Sequence, residues 1–198
     1  MTAEIHVLSA GAIEPGLVDA VEAFREEGGG DVRITWATTP VIRKRIAGGE
    51  AADVVIATQE AIEDFAREGK VAAKGRVPVG RVGIGIVMRR SSPVPDISSA
   101  GALKYAVLDA DSVVFNRASS GLHVERMLDE MGILERIQAK TSRYGNGPAM
   151  MEHLINGKGK EIGFGAITEI LMFRDKGLKL AGPLPDEIQH YTDYVAAT

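Results

Sequence analysis

The chain contains no cysteine, which excludes disulfides, thiolate metal sites and cysteine nucleophiles. It also lacks any apolar run approaching the roughly 20 residues that a membrane-spanning helix needs. No block of five like charges occurs, and the net charge of −4 comes from interspersed acids and bases. That balance gives neither a nucleic-acid footprint nor a polybasic membrane patch, so neither nucleic acid nor membrane insertion is expected. The opening MTAEIHVLSAG has no basic region followed by an apolar one, so it does not read as a signal peptide. The expected location is periplasmic if a signal peptide has been removed and cytoplasmic otherwise. The histidines show no His-x-His or His-x-x-x-His spacing, and no G-x-S-x-G elbow accompanies a Ser-His-Asp set. No metal, no cofactor and no catalytic set is therefore predicted, and the chain reads as a binder rather than an enzyme.

What is present is alternation. With 45% hydrophobic and 25% charged residues, the 198-residue chain suits one large globular domain or two small lobes. Strand patterns at Ile5–Leu8, Val32–Ala37 and Val54–Ala57 alternate with helical patterns at Pro15–Glu26, Pro40–Ala47 and Glu60–Glu68. In the first helix Leu17, Val21 and Phe24 share one face. A long strand candidate, Val82–Met88, leads into SSPVPDISSAGAL, whose serines and prolines read as a connection. A second series follows: strand Ser112–Asn116, helix Gly121–Met131, a weak strand near Ala139–Ser142, helix Pro148–Asn156 and strand Ile162–Gly165. Helix Thr168–Lys176, strand Leu178–Ala181 and an extended run Tyr191–Ala196 complete it. The pattern predicts α/β lobes built on mostly parallel sheets flanked by helices, with the first crossing near Gly80.

The helix starts carry the functional signal. Glu14-Pro15, Thr39-Pro40, Ser119-Ser120-Gly121 and Gly147-Pro148 each end a strand and open a helix. Proline is tolerated at such a start because its missing N–H would be unpaired there anyway. The remaining N–H groups and the positive end of the helix dipole make each start a possible anion site. In open α/β sheets ligands sit at the carboxyl ends of strands, where these junctions gather. A cleft lined by Ser9, Thr38, Thr39, Ser120 and the backbone of Gly147 would suit an anion. Taken singly, each junction reads more simply as an ordinary N-cap worth about 1 kcal/mol, and the case for binding lies in several junctions landing on the same edge.

Three segments, VLSAGAIEPGL (7–17), ITWATTPVIRKRIAGGEAADVVIAT (34–58) and LINGKGKEIGFGAITEIL (154–171), resemble the molybdate-binding type of periplasmic solute-binding proteins of ABC transporters. The glycine turn, alanine and Asp53 of GGEAADVVIAT are similar to that family's G-x-x-A-D-V signature, and PLPDEIQHYTDYV resembles its return to the first lobe. The resemblance implies a two-lobed type II periplasmic-binding-protein fold, with lobe 1 at residues 1–80 plus 185–198 and lobe 2 at 81–184. It implies a small anion, a molybdate- or tungstate-like oxyanion or an organic acid, trapped between the lobes and handed unchanged to a transporter permease by a monomer. By position its ligand sites fall on Ala12, Thr38 or Thr39, Ser120, Gly147 and Ala166. Ala12 and Ala166 stand where the family has serine and tyrosine, and losing a donor to a buried ion costs about 1.5–3 kcal/mol. A larger organic anion would use the space the tyrosine leaves. Family members also continue past the last strand, so the chain reads as a minimal variant or a shortened one.

Around these junctions Arg117 is suited to bidentate pairing with a carboxylate or phosphate, a solvated loop arginine being the alternative. Ser119 completes the third junction, with His123 in a capping or packing role, and Arg143 precedes the fourth. Arg43, Lys44 and Arg45 read as a solvated face, Trp36 as core, and Gly157-Lys158-Gly159-Lys160 as a helix C-terminal turn. Two further classes are carried beside the transport reading: a cytoplasmic ligand-sensing domain acting through a partner, and an enzyme on the same fold.

Overall fold

A computed structural model describes residues 4–198. In chain order the elements are β1 (Ile5–Ala10), α1 (Glu14–Glu26), β2 (Val32–Ala37), α2 (Thr39–Ala47), β3 (Val54–Thr58), α3 (Gln59–Arg67) and β4 (Val77–Arg89). They continue as α4 (Ala100–Asp109), β5 (Ser112–Asn116), α5 (Ser119–Glu130), α6 (Leu134–Ile137), β6 (Thr141–Tyr144), α7 (Gly147–Asn156), β7 (Glu161–Ala166), α8 (Ile167–Met172), β8 (Leu178–Pro183) and β9 (Tyr191–Ala197). The chain divides into two units, one holding residues up to Val82 together with Thr192–Thr198, the other Gly83–Tyr191. The crossing expected at Gly80 thus falls between Val82 and Gly83. The return comes at Tyr191 and Thr192 rather than residue 185, because the segment between stays tied to the second unit. There the Leu184 N–H donates to the Ile84 carbonyl at 3.1 Å, and Gln189 bonds both the N–H and the carbonyl of Ile84 at 3.0 Å.

In the first unit the sheet order is β2-β1-β3-β9, parallel except for the antiparallel β9. Leu8, Val55 and Ile56 of the sheet are buried with Ile42 and Ile46 of α2 and with Ala61, Ile62 and Phe65 of α3, each helix set at the spacing of one helical face. Helix α1 differs from expectation: none of its residues is buried, and Phe24 is 40% exposed. It leads to the edge strand β2, whose own residues, Trp36 included, are only half-buried or exposed.

The second unit has the order β8-β4-β7-β5-β6, with β5 parallel to both neighbours and β4 antiparallel to β7 and β8. Its core brings Phe115 and Phe164 from the sheet together with Val124, Met127 and Leu128 of α5 and Met150, Met151 and Leu154 of α7. The stretch read as a connection becomes helical from Ala100. Ser99 Oγ accepts from the Ala102 N–H at 3.1 Å, Glu187 accepts from the Ala100 N–H at 2.7 Å, and Leu103 and Val107 are buried. Only two of its apolar positions are fully buried, too few to stand out in the sequence. After α7 the backbone at Gly157 is extended, φ −68° and ψ 162°, so the glycine-lysine stretch is no left-handed helix terminus.

Candidate functional site

Register sets the stage in each unit. Ala10 pairs with Ala37, so β1 and β2 end level and the junctions at Gly11–Ile13 and Thr38–Thr39 are neighbours. Likewise Asn116 pairs with Tyr144 and Phe115 with Phe164, so β5, β6 and β7 end on one edge of their sheet. The predicted residues of each unit are therefore gathered at the carboxyl ends of its strands, where a parallel sheet presents helix starts.

The helix starts are not equivalent. A helix leaves its first N–H groups unpaired, and an acidic residue or a capping side chain is the usual compensation. Helices α1, α3, α6 and α8 carry Glu14, Glu60, Glu135 and Glu169 in their first turns. Helix α4 has the Ser99 cap, and in α7 Asn146 Oδ1 accepts from the Ala149 N–H at 2.9 Å. Among the described α-helices only α2 and α5 have neither an acid in the first turn nor a side-chain cap. Thr38 is the N-cap residue of α2, yet its hydroxyl makes no capping bond; Thr39 follows, buried, with Pro40 behind it. At α5 the N-cap is Ala118, which has no polar atom to give, followed by half-buried Ser119 and buried Ser120. The capping reading of these hydroxyls therefore fails at both starts.

The other predicted positions are differently engaged. Ser9 is fully buried and its hydroxyl donates to the Ala10 carbonyl at 3.2 Å, within its own strand. Ala12 is buried in the turn before α1, and Ala166 is buried at the end of β7, so each presents backbone only. Gly147 opens α7 beneath the Glu169 carboxylate, and a Cβ there would collide with it. An acid of the chain's own thus already lies at the fourth junction. Arg117 is exposed, and its N–H donates to the Tyr144 carbonyl at 2.8 Å. Arg143 is no ligand candidate: its guanidinium makes a bidentate pair with Glu125 at 2.5 and 2.6 Å and lies over the Phe115 ring. Two of the basic trio on α2 are partnered too, Arg43 with Asp64 at 2.7 Å and Arg45 with Glu50 at 3.3 Å.

Two features were out of reach of sequence spacing. Asn116, at the end of β5, is 1% exposed; its Oδ1 accepts from the Ala118 N–H at 2.9 Å while its Nδ2 has no partner. Gly121 allows this close approach, since a Cβ there would strike the Asn116 carbonyl. The rings of His123 and His190 stack at 4.3 Å with planes 14° apart, joining residues far separated in sequence. Burial first, then the charges of His190 and Arg126, hold the His123 pKa below the ordinary histidine value, against the pull of a hydrogen bond to the Ile188 backbone and of Glu130. Among the described residues no cluster of three or more His, Asp or Glu could hold a metal ion, and no helix is long and apolar enough to cross a membrane.

A separate pocket of about 760 Å³ lies at the opposite edge of the second unit, between Met88, Pro93, Val94 and the Gly157–Glu161 stretch. Its charges are largely matched internally, Arg89 to Glu161 and Lys160 to Asp109 at 3.1 Å, which leaves little to recognise an anion.

A family model described as bacterial extracellular solute-binding protein matches residues 5–198. An aconitate isomerase from a Pseudomonas species is 29% identical over 200 residues, spanning 98% of this chain and 74% of that protein. Among solved structures, the periplasmic molybdate-binding protein of Azotobacter vinelandii superposes with a TM-score of 0.78 at 15% identity, over 98% of this chain and 84% of that one. The CcmR regulatory domain of Synechocystis PCC6803, in complex with 2-PG, gives a TM-score of 0.66 at 13% identity, over 100% and 88%. At such identities the likeness is one of fold, the type II periplasmic-binding fold that the sequence resemblance implied. With the family model spanning nearly its whole length, the chain belongs to the bacterial extracellular solute-binding protein family.

Proposed function

We propose that this chain captures a small anion, and that the starts of α2 and α5 supply the groups that hold it. The observation that carries the reading is the selective lack of compensation at these two starts, one in each unit. Every other described α-helix has an acid in its first turn or a side-chain cap, so the N–H groups flanked by Thr38, Thr39, Ser119 and Ser120 are the ones left to favour an external negative charge. A ligand that engages both starts favours whichever arrangement of the units brings both within reach, which is the differential affinity a solute-binding protein needs. Delivery to an ABC-type permease is the role the family suggests. The buried alanines at 12 and 166 offer no hydroxyl, which favours an organic acid over molybdate or tungstate.

A second reading, catalysis, rests on the Pseudomonas relative, whose name denotes the isomerisation of a tricarboxylate. The test is a thermal-shift screen against molybdate, tungstate, sulfate, phosphate and small di- and tricarboxylates. A ligand at 100 times its dissociation constant should stabilise by about 2.7 kcal/mol. A shift with at least one anion supports capture, and absence of any shift overturns it. Proton NMR of the stabilising ligand after prolonged incubation separates the readings: an unchanged spectrum favours binding, a new isomer favours catalysis.

A further inference from the structure

We infer that Asn116 is a ligand-binding residue, whose side-chain amide donates to an unprotonated oxygen of the anion held at the α5 start. This rests on the anion-capture reading of that start and names a side chain that reads the ligand there. Asn116 closes β5 and is 1% exposed. Its Oδ1 accepts at 2.9 Å from the N–H of Ala118, the N-cap residue of α5, which sets the amide against the first turn. A Cβ at Gly121 would come within 2.8 Å of the same Oδ1, so the amide lies at the helix start itself. Arg117, Ala118 and Ser119, which follow it in the chain, are exposed or half-buried, so the junction that covers the amide reaches the surface.

The Ala118 N–H needs an oxygen opposite it, which fixes the end of the amide that is nitrogen. Nδ2 then carries two N–H bonds, and it has no acceptor among the described residues. A buried donor without a partner is costly, and native proteins keep few of them. The other two buried nitrogens in that condition differ: Arg143 holds Glu125 and His153 holds the Tyr144 hydroxyl through their remaining nitrogens. The residue type is a second argument. An aspartate at this position would accept from Ala118 equally well and would bring to α5 the negative charge that its first turn lacks. Asparagine makes the same bond, leaves the start uncompensated and adds a donor. With Oδ1 turned to Ala118, the other end of the amide can only donate, so the ligand brings a lone pair to it, from a carboxylate or a tetrahedral oxyanion.

The test pairs titration calorimetry with NMR of the isotope-labelled protein, using molybdate, sulfate, succinate and citrate as probes. For an anion that binds, the Asn116 side-chain NH2 protons should move downfield at saturation, and Asn116→Asp should weaken binding by about a hundredfold or more. The variant keeps the acceptor for Ala118 and should fold; where it does not, the resonances of the unmodified protein decide alone. Asn116 NH2 signals that stay in place as an anion saturates the protein overturn this inference and leave anion capture standing, as does unchanged affinity in a folded Asn116→Asp. Failure of every anion to bind overturns both.

Discussion

Asp53 and His6 clasp each other by two hydrogen bonds: the His6 N–H donates to the Asp53 carboxylate at 2.7 Å, and the Asp53 N–H donates to the His6 carbonyl at 2.9 Å. The clasp lies just ahead of the register in which Val7 meets Val54, so it aligns β3 on β1. The most family-like residue of the sequence is thus a register pin far from the helix starts. Asp53→Ala should cost about 1 kcal/mol of stability, less than a buried hydrogen bond to a charge because the site is exposed. Urea denaturation reads the loss, and an accompanying change in anion affinity would contradict the structural role.

The hydroxyls at the α2 and α5 starts should behave in the opposite way. Thr39→Val and Ser120→Ala remove groups that cap nothing, so melting temperature should hold while anion affinity falls by about tenfold, the value of one hydrogen bond to a charge. Asn146→Ala is the control, because it deletes a cap. It should cost about 1 kcal/mol of stability. Stability loss at Thr39 or Ser120 without affinity loss would return them to packing roles.

At the far edge of the second unit, Glu161 is buried against Arg89, which also donates to the carbonyls of Leu154 and Gly159. Glu161→Ala leaves a buried guanidinium without its countercharge and should cost about 3–5 kcal/mol. Replacing both partners by apolar residues of similar volume should recover much of this. Equilibrium unfolding of the single and double variants measures the recovery, and equal losses in the two would deny the pair its role.

Acidification should weaken the unligated protein through His123. Its folded pKa lies below the ordinary value, so as pH falls from about 7.5 to 5.5 the unfolded chain takes up a proton that the folded chain resists. The stability contribution of the neutral ring is present above the unfolded pKa and is lost below it. His123→Gln should flatten the fall in this window, as read by denaturation midpoints at several pH values.

Much of the fold was legible because strand and helix periods differ and proline marks helix starts: α2, α5 and α7 begin within two residues of their expected positions. Helix α4 escaped because its serine- and proline-rich approach resembles a loop and only Leu103 and Val107 are fully buried along it. The candidate site was legible as a set of helix starts but not as a ranking among them. That ranking depends on where the Glu169 carboxylate lies relative to Gly147 and on the side chain of Asn116, both products of tertiary packing. His123 and His190 are brought together by the segment leading into β9, and no local period encodes such a meeting.

The path of the chain also bears on the order of synthesis. The second unit is one uninterrupted stretch, Gly83–Tyr191, whereas the first must wait for β9, whose Val195, Ala196 and Ala197 close its sheet against β3. During translation the stretch made later is therefore the one able to complete itself first, while β3 stands with an open edge until the last strand leaves the ribosome. Nascent chains stalled just before Thr192 should contain a protease-resistant second unit beside a first unit that is still readily cut.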